Sequence, residues 1–345
     1  MKKVFTMLLC FVAIVSVCGC KSSNDKAVKE SIKVGITMYN EFDPFTEDIR
    51  HNIEEYLIEY QTRYGVEIST SVVYSGKNQL LQNDQVQDFI DKDYDVICVN
   101  LVDRTDPSVI IEAAKAADKP IIFFNRELVE DDLKRFDKLY YVGARPEESG
   151  KLQGRIIVEA LRERMDEIDL NQDGIIQYVM LEGEPGHQDA IVRSRVSVET
   201  ITGCGIKLER LGDEIANWDR QQAQTKITSL LAGYPRQIEL IIANDDNMAL
   251  GAVDALTNFG VQTMPLIVGV NGQEEALEMV NEGLIEGTVL NNSKEKGKII
   301  AKLALFLGVD GKPPKDLPLV DGKYYYISYE LINKKNINDY FTEEN

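Results

Sequence analysis

Two adjoining stretches of the 345-residue chain hold the residue types most suited to chemistry. In the first, Asp169-Leu170-Asn171-Gln172-Asp173-Gly174-Ile175-Ile176-Gln177, oxygen-bearing side chains occupy loop positions 1, 3, 5 and 9, and a glycine occupies position 6. A hard cation such as Ca²⁺ takes six to eight oxygen ligands, and the glycine permits the sharp turn that points them inward. Ile175, at position 7, would contribute only its backbone carbonyl. Position 12 departs from the pattern: an EF-hand closes with a bidentate glutamate, whereas this chain has Met180 in an apolar run. A complete metal site needs a carboxylate from elsewhere, and the helix-loop-helix fold is excluded because the loop runs into Tyr178-Val179-Met180-Leu181. The competing reading is a plain helix-to-strand turn, which Asn, Asp and Gly favour without metal.

The second stretch runs from Gly183 to Arg193, where a strand ends in a loop and a helix starts. His187, Asp189 and Arg193 fall at the strand's carboxyl end and in the first turns of the helix, the place where open α/β sheets bind ligands. Asp189 and Arg193 are four apart and share a helix face, so a capped helix start with an ion pair is the structural alternative.

The elements that must position these groups alternate along the chain. Apolar runs predict strands over 32–38, 66–74, 96–100, 120–125, 140–143, 177–181, 206–211, 239–243, 266–270 and 285–290. Between most of them lie helical periodicities, over 46–64, 79–92, 107–117, 147–165, 189–203, 219–232, 248–259 and 274–281. About ten such units exceed one small sheet, so two doubly wound parallel α/β domains are expected. Asp43 follows the first strand, and Asn125, Asp245, Asn271 and Asn291 stand at the ends of later ones. Turns favour these residues anyway. Five at the same end of successive strands suit an uncharged polyol, because one short planar side chain can serve two adjacent hydroxyls. Arg193 adds a fork of donors. Phe45 and Trp218, the only tryptophan, sit in loops, where two aromatic plates can cover the C–H faces of a pyranose. Core packing is the plainer reading for Phe45, but Trp218 is framed by Asn217 and Asp219.

Composition bounds the partners. With 38 Lys and Arg against 57 Asp and Glu, the net charge of −19 leaves no basic face for nucleic acid. Residues 1–19 have a basic start (Lys2-Lys3), a short apolar stretch and small residues before a cut, which is the form of a secretory signal peptide. Val17-Cys18-Gly19 before Cys20 resembles a bacterial lipobox, so Cys20 is expected to become the lipidated first residue of an extracytoplasmic protein anchored to the cell membrane. The polar stretch 20–31 then serves as a tether. Cys98 and Cys204 lie in apolar surroundings and are expected as two buried thiols rather than a disulfide or metal pair.

Taken together, the segments Tyr39 to Phe45, FFN ending at Asn125, YYVGA, DLNQDGIIQ, LEGEPGHQDA, NWD, IELIIANDD, MALGA, GVN and GTVLNN are similar to the bacterial galactose/glucose-binding proteins of ABC sugar transporters, over nearly all of the chain beyond the export segment. The resemblance implies two α/β lobes joined by three hinge strands, one of residues 32–144 with 292–327 and the other of 145–291 with 328–345. It implies a hexose held between closing lobes, hydrogen-bonded by Asp43, Asn125, His187, Asp189, Arg193, Asp245, Asn271 and Asn291 and sandwiched by Phe45 and Trp218. It further implies a structural Ca²⁺ held by Asp169, Asn171, Asp173, the Ile175 carbonyl and Gln177, with Glu239 as the missing carboxylate. The implied partners are a membrane ABC permease and a chemoreceptor, with the protein itself a monomer.

Two positions depart from the family pattern: Asp245 stands where it has Asn, and Asn271 where it has Asp. Pocket charge is conserved if both face the same hydroxyls, but preference among glucose, galactose and other aldoses becomes open. The competing functions are a glycosidase using Asp43 and Asp189 as acid and base, a repressor sensor core, and a binder of another aldose or a signalling furanose. The first lacks a group to activate water, and the second lacks a helix-turn-helix.

Overall fold

The computed structural model describes residues 29–341. Cys20 and the export segment lie outside them. The first sheet is laid down by β1 (Ser31–Met38), β2 (Glu67–Tyr74), β3 (Val96–Val99), β4 (Ile121–Phe124) and β5 (Leu139–Gly143), linked by α1 (Pro44–Tyr64), α2 (Gln79–Asp91), α3 (Ser108–Ala116) and the single turn α4 (Glu130–Leu133). The chain then crosses over and builds α5 (Pro146–Ile168), β6 (Ile176–Glu182), α6 (Gln188–Gly203), β7 (Leu208–Ile215), α7 (Arg220–Gly233), β8 (Leu240–Ala243), α8 (Asp246–Phe259), β9 (Leu266–Val268), α9 (Glu274–Glu282) and β10 (Gly287–Leu290). It returns through α10 (Ser293–Asp310) and β11 (Tyr324–Tyr326) to the first sheet, and ends with β12 (Glu330–Asn333) and α11 (Asn338–Phe341) on the second.

Each sheet has six strands, in the orders β11-β5-β4-β3-β1-β2 and β12-β10-β9-β8-β6-β7. All pairings are parallel except β10 with β12, an antiparallel edge on an otherwise parallel sheet. The central strands are continuous apolar runs, VICV in β3, IIFF in β4 and LIIA in β8, because helices cover both faces and no residue on them meets water. The connections 144–145, 291–292 and 327–329 between the two sheets are short links without strand pairing. Three short crossings are the form a hinge between two lobes takes.

Two features of the fold bear directly on the site. First, α5 and α6 pack almost backbone to backbone. A Cβ on Gly150 would lie 2.9 Å from the Val196 Cβ and 3.0 Å from the Arg193 carbonyl oxygen, and one on Gly154 would lie 2.7 Å from the Thr200 Cβ. This contact holds Arg193 against Ser149. Second, α10 presses onto α1, where a Cβ on Gly297 would lie 2.3 Å from the Asn52 Cβ. That contact carries the start of α10 inside the lobe.

The structure corrects several expectations. Cys98 is buried, but Cys204 is exposed, since it follows the last turn of α6 rather than facing the core; both are free thiols. β7 runs to Ile215 instead of Leu211 and carries a bulge opposite Tyr178 and Val179. It is an edge strand whose alternating polar residues hide its length from an apolar-run criterion. The predicted periodicities include none of α4, α10, β11, β12 and α11. Among the described residues no helix is long and apolar enough to cross a membrane.

Candidate functional site

The loops at the carboxyl ends of both sheets face each other across a cleft lined by Asp43, Phe45, Asn125, His187, Asp189, Arg193, Trp218, Asp245, Asn271 and Asn291. These are the ten side chains singled out from the sequence. The first three come from the first lobe, the next six from the second, and Asn291 from the crossing between β10 and α10.

Local backbone chemistry places most of them. Asp43 is the N-cap of α1: its Oδ1 accepts from the Phe45 and Thr46 N–H groups at 3.0 and 3.3 Å, and its Oδ2 accepts from the Tyr39 hydroxyl at 2.6 Å. Asp245 caps α8, accepting from the Met248 N–H at 2.9 Å. The caps hold both carboxylates at helix N-termini that border the cleft, where negative charge is favoured. Burial raises the Asp43 pKa, opposed by its hydrogen bonds, and raises Asp245 to about 7, with Asp43 adding to the rise. Burial likewise raises Asp189, against Arg193 and Lys296. Donors from a ligand would replace the solvation that burial takes from these three acids. Asn125 has left-handed φ of 65° and Asn271 a φ of 125°, conformations in which the strand end turns its amide away from the sheet.

His187 caps α6 through its own ring: Nδ1 accepts from the Asp189 N–H at 3.2 Å. Burial, aided by Arg126, Arg193 and Arg104, holds its pKa well below the usual value. The imidazole is therefore neutral with its proton on Nε2, a donor available to a ligand. The ring stands edge-on to Trp218, with centroids 5.1 Å apart. Arg193 does not pair with Asp189 within 4.0 Å, contrary to the i,i+4 alternative. It donates to Ser149 Oγ at 2.9 Å, to the Asn244 carbonyl and to the Tyr329 hydroxyl at 3.4 Å. Packing of α5 on α6 offers it buried acceptors, and a buried guanidinium with three partners is held as a fixed donor plate.

An ion-pair bridge lies beside the cleft. Arg126, just past Asn125, donates to Glu184 Oε2 at 2.7 Å across the two lobes, and Lys77 Nζ stands 2.6 Å from Glu184 Oε1. The Arg126 guanidinium also lies 3.8 Å from the centroid of Tyr39, the ring whose hydroxyl orients Asp43. Burial pushes the Glu184 pKa up, but Arg126 and Lys77 outweigh it and the net shift is downward. Neither Arg126 nor Glu184 was selected from the sequence, because nothing local marks one charged residue in FFNRE or LEGEPG as facing its partner. Glu184→Gln is expected to weaken ligand affinity roughly tenfold, chiefly through faster dissociation, because it removes charge from a largely buried cross-lobe pair. Stopped-flow dissociation measures this; an unchanged off-rate refutes the bridge.

The oxygen-rich loop lies at the opposite end of β6. Asp169 accepts from the Asp173 N–H at 3.2 Å and the Gly174 N–H at 2.8 Å; Asn171 Oδ1 accepts from the Asp173 N–H and Asp173 Oδ1 from the Ile175 N–H, at 2.8 and 2.7 Å. Gln172 and Gly174 have positive φ, so the loop winds its side chains to one side. Glu239, nearly fully buried, reaches in from the residue before β8 and accepts from the Leu170 and Gln177 N–H groups at 2.6 and 3.0 Å. Gln177 Nε2 donates to Asp173 Oδ2 at 3.1 Å. Among the described residues no group of three or more His, Cys, Asp or Glu side chains is placed to hold a metal ion. A cation here would rely on the amide and carbonyl oxygens as well, the donor chemistry that Ca²⁺ accepts.

The family profile described as periplasmic binding protein domain matches residues 34–313. The chain belongs to the periplasmic binding protein family. This binding protein is 34% identical, over 99% of both chains, to the D-galactose/methyl-galactoside binding periplasmic protein MglB of Haemophilus influenzae. It is 27% identical to a putative rhizopine-binding protein of Rhizobium meliloti, over 95% of this chain and 97% of that one. Among solved structures it is similar to an ABC transporter solute-binding protein of Bacillus halodurans with bound myo-inositol, with a TM-score of 0.75 and 25% identity, over 91% of this chain and 98% of that one. Members of such a family bind solutes and do no chemistry on them. In this binding protein Asp43 accords with that role, since one of its oxygens caps a helix and the other accepts from a tyrosine.

Proposed function

We propose that the protein is an extracytoplasmic, lipid-anchored binding protein that captures a hexose, glucose or galactose, between its lobes and presents it to an ABC sugar permease. The observation that carries this reading is the cleft itself, in which acids, amides and one fixed guanidinium surround the space between an aromatic ring from each lobe. Such a set matches a ring with hydroxyls on its rim and C–H groups on its faces. Lobe closure across the Arg126–Glu184 bridge would create the surface a permease recognises, and a chemoreceptor is a second reader that the same surface suits. Cys20 would supply the anchor. The oxygen-rich loop and Glu239 would hold a structural Ca²⁺ through Asp169, Asn171, Asp173, Gln177 and the Ile175 carbonyl.

Calorimetric titration of the calcium-loaded protein with a panel of monosaccharides tests the reading. One or two aldohexoses are expected to bind in the micromolar range or tighter. Tighter binding of a pentose, an inositol or a furanose would move the assignment to another polyol, the alternative favoured by the 25%-identical structure that holds myo-inositol. Incubation with aryl glycosides is expected to release no product. The exchanged pair is tested by a double-mutant cycle: Asp245→Asn with Asn271→Asp should lose much less affinity than the sum of the two single changes. Additive losses would show that the two positions face different hydroxyls.

A further inference from the structure

Lys296 sits in the first turn of α10 and is only 2% exposed. Its Nζ lies 2.6 Å from Asn291 Oδ1 and 4.9 Å from the centroid of Phe45. An ammonium has three N–H groups and nothing with which to accept, so the amide atom facing it must be the oxygen. The usual ambiguity between amide O and N is thereby removed for Asn291. Its Nδ2 then stands 3.3 Å from Asn271 Oδ1 and donates to it. With that oxygen engaged, Asn271 has its own Nδ2 left for the cleft, and Asn291 has a second N–H. Both residues line the cleft, while Asp43, Asp189 and Asp245 elsewhere on its wall can only accept when ionised.

We propose that Lys296 is a positioning and specificity-determining residue that, through Asn291 and Asn271, makes one wall of the cleft a hydrogen-bond donor. The ligand atom meeting that wall must accept. A family member with aspartate in place of Asn271 presents an acceptor there instead. This inference rests on the sugar-binding reading and deepens it, because it states which way one of the sugar's hydrogen bonds runs.

Fluorinated sugars read that direction, because carbon-bound fluorine accepts weakly and cannot donate. Titrations at pH 6, below the value of about 7 to which burial lowers the lysine, would compare glucose and galactose with their monodeoxy and monodeoxyfluoro analogues. At one ring position the fluoro analogue is expected to bind within about threefold of the parent while the deoxy analogue loses about tenfold, the scale of one hydrogen bond. Asn271→Asp is expected to bring the fluoro analogue down to the deoxy level. Lys296→Met should erase the difference, and Lys296→Gln, which can still donate to Asn291 Oδ1, should restore it. Fluoro analogues no better than deoxy ones at every position, or a pattern indifferent to Lys296→Met, would overturn the proposal. The side-chain amide resonances of Asn291 and Asn271 give a ligand-free reading: both are expected to shift in Lys296→Met, and if neither moves the amide chain does not exist. Shifted resonances in a protein that binds no sugar would refute the sugar assignment and leave the chain of hydrogen bonds standing.

Discussion

Replacing Gly183 by alanine is expected to lower ligand affinity at least a hundredfold, about 3 kcal/mol, while leaving both sheets folded. The indole of Trp218 packs directly against Gly183. An added Cβ would stand 2.0 Å from Cζ2, 2.1 Å from Cη2 and 2.3 Å from Cε2. No rotamer change of a flexible tip relieves such a contact, because these atoms belong to a rigid ring. Asn217 and Trp218 both have left-handed φ, 53° and 64°, so the loop has little freedom to retreat. The ring must leave the position from which it lines the cleft. Trp218 is the only tryptophan, so its emission reports the site directly. Ligand is expected to change that emission in the parent protein and to have no effect in Gly183→Ala. A variant that binds within threefold, with an unchanged fluorescence response, would show that the indole is not a wall of the site.

If the oxygen-rich loop holds Ca²⁺ as proposed, its removal is the second large effect. With free Ca²⁺ at about a thousand times its dissociation constant, a site present only in the folded state adds roughly 4 kcal/mol. At about 2–4 °C per kcal/mol for a domain of this size, chelation is expected to lower the melting temperature by about 10 °C. The sign follows from the charges: burial raises the Glu239 pKa and Asp169 adds to the rise, and a divalent cation at the loop would favour the ionised carboxylates. Ligand affinity should change far less, because the seven residues of β6 separate the loop from the cleft by roughly 23 Å. Glu239→Gln is expected to reduce the calcium-dependent stabilisation sharply. Melting curves that coincide in chelator and in Ca²⁺ would end the case for a metal and leave the loop as a helix-to-strand turn. A parallel loss of affinity and stability would instead place the loop in communication with the lobes' closure.

The alternation of apolar runs and helical periodicities was sufficient by itself to determine a doubly wound α/β fold with two lobes, because strands covered by helices on both faces must be continuously apolar and cannot be mistaken for loops. The positions of Asp43, Asn125, Asp245, Asn271 and Asn291 at strand ends followed from the same segmentation, and resemblance joined them to His187, Asp189, Arg193, Phe45 and Trp218. Partnership is what only the tertiary structure decided. Arg193 points to Ser149 and Tyr329 instead of Asp189 because two glycines let α5 approach α6, and the two glycines alone do not say which helix fills the space. Lys296 lies in the run KEKGK, which resembles a solvated helix face, and becomes buried only because α10 packs on a helix more than 200 residues earlier in the chain. Arg126 and Glu184 are 58 residues apart and meet only across the lobes. Contacts made within a few residues are governed by local backbone chemistry, which composition and spacing record; contacts made across lobes depend on how whole elements stack.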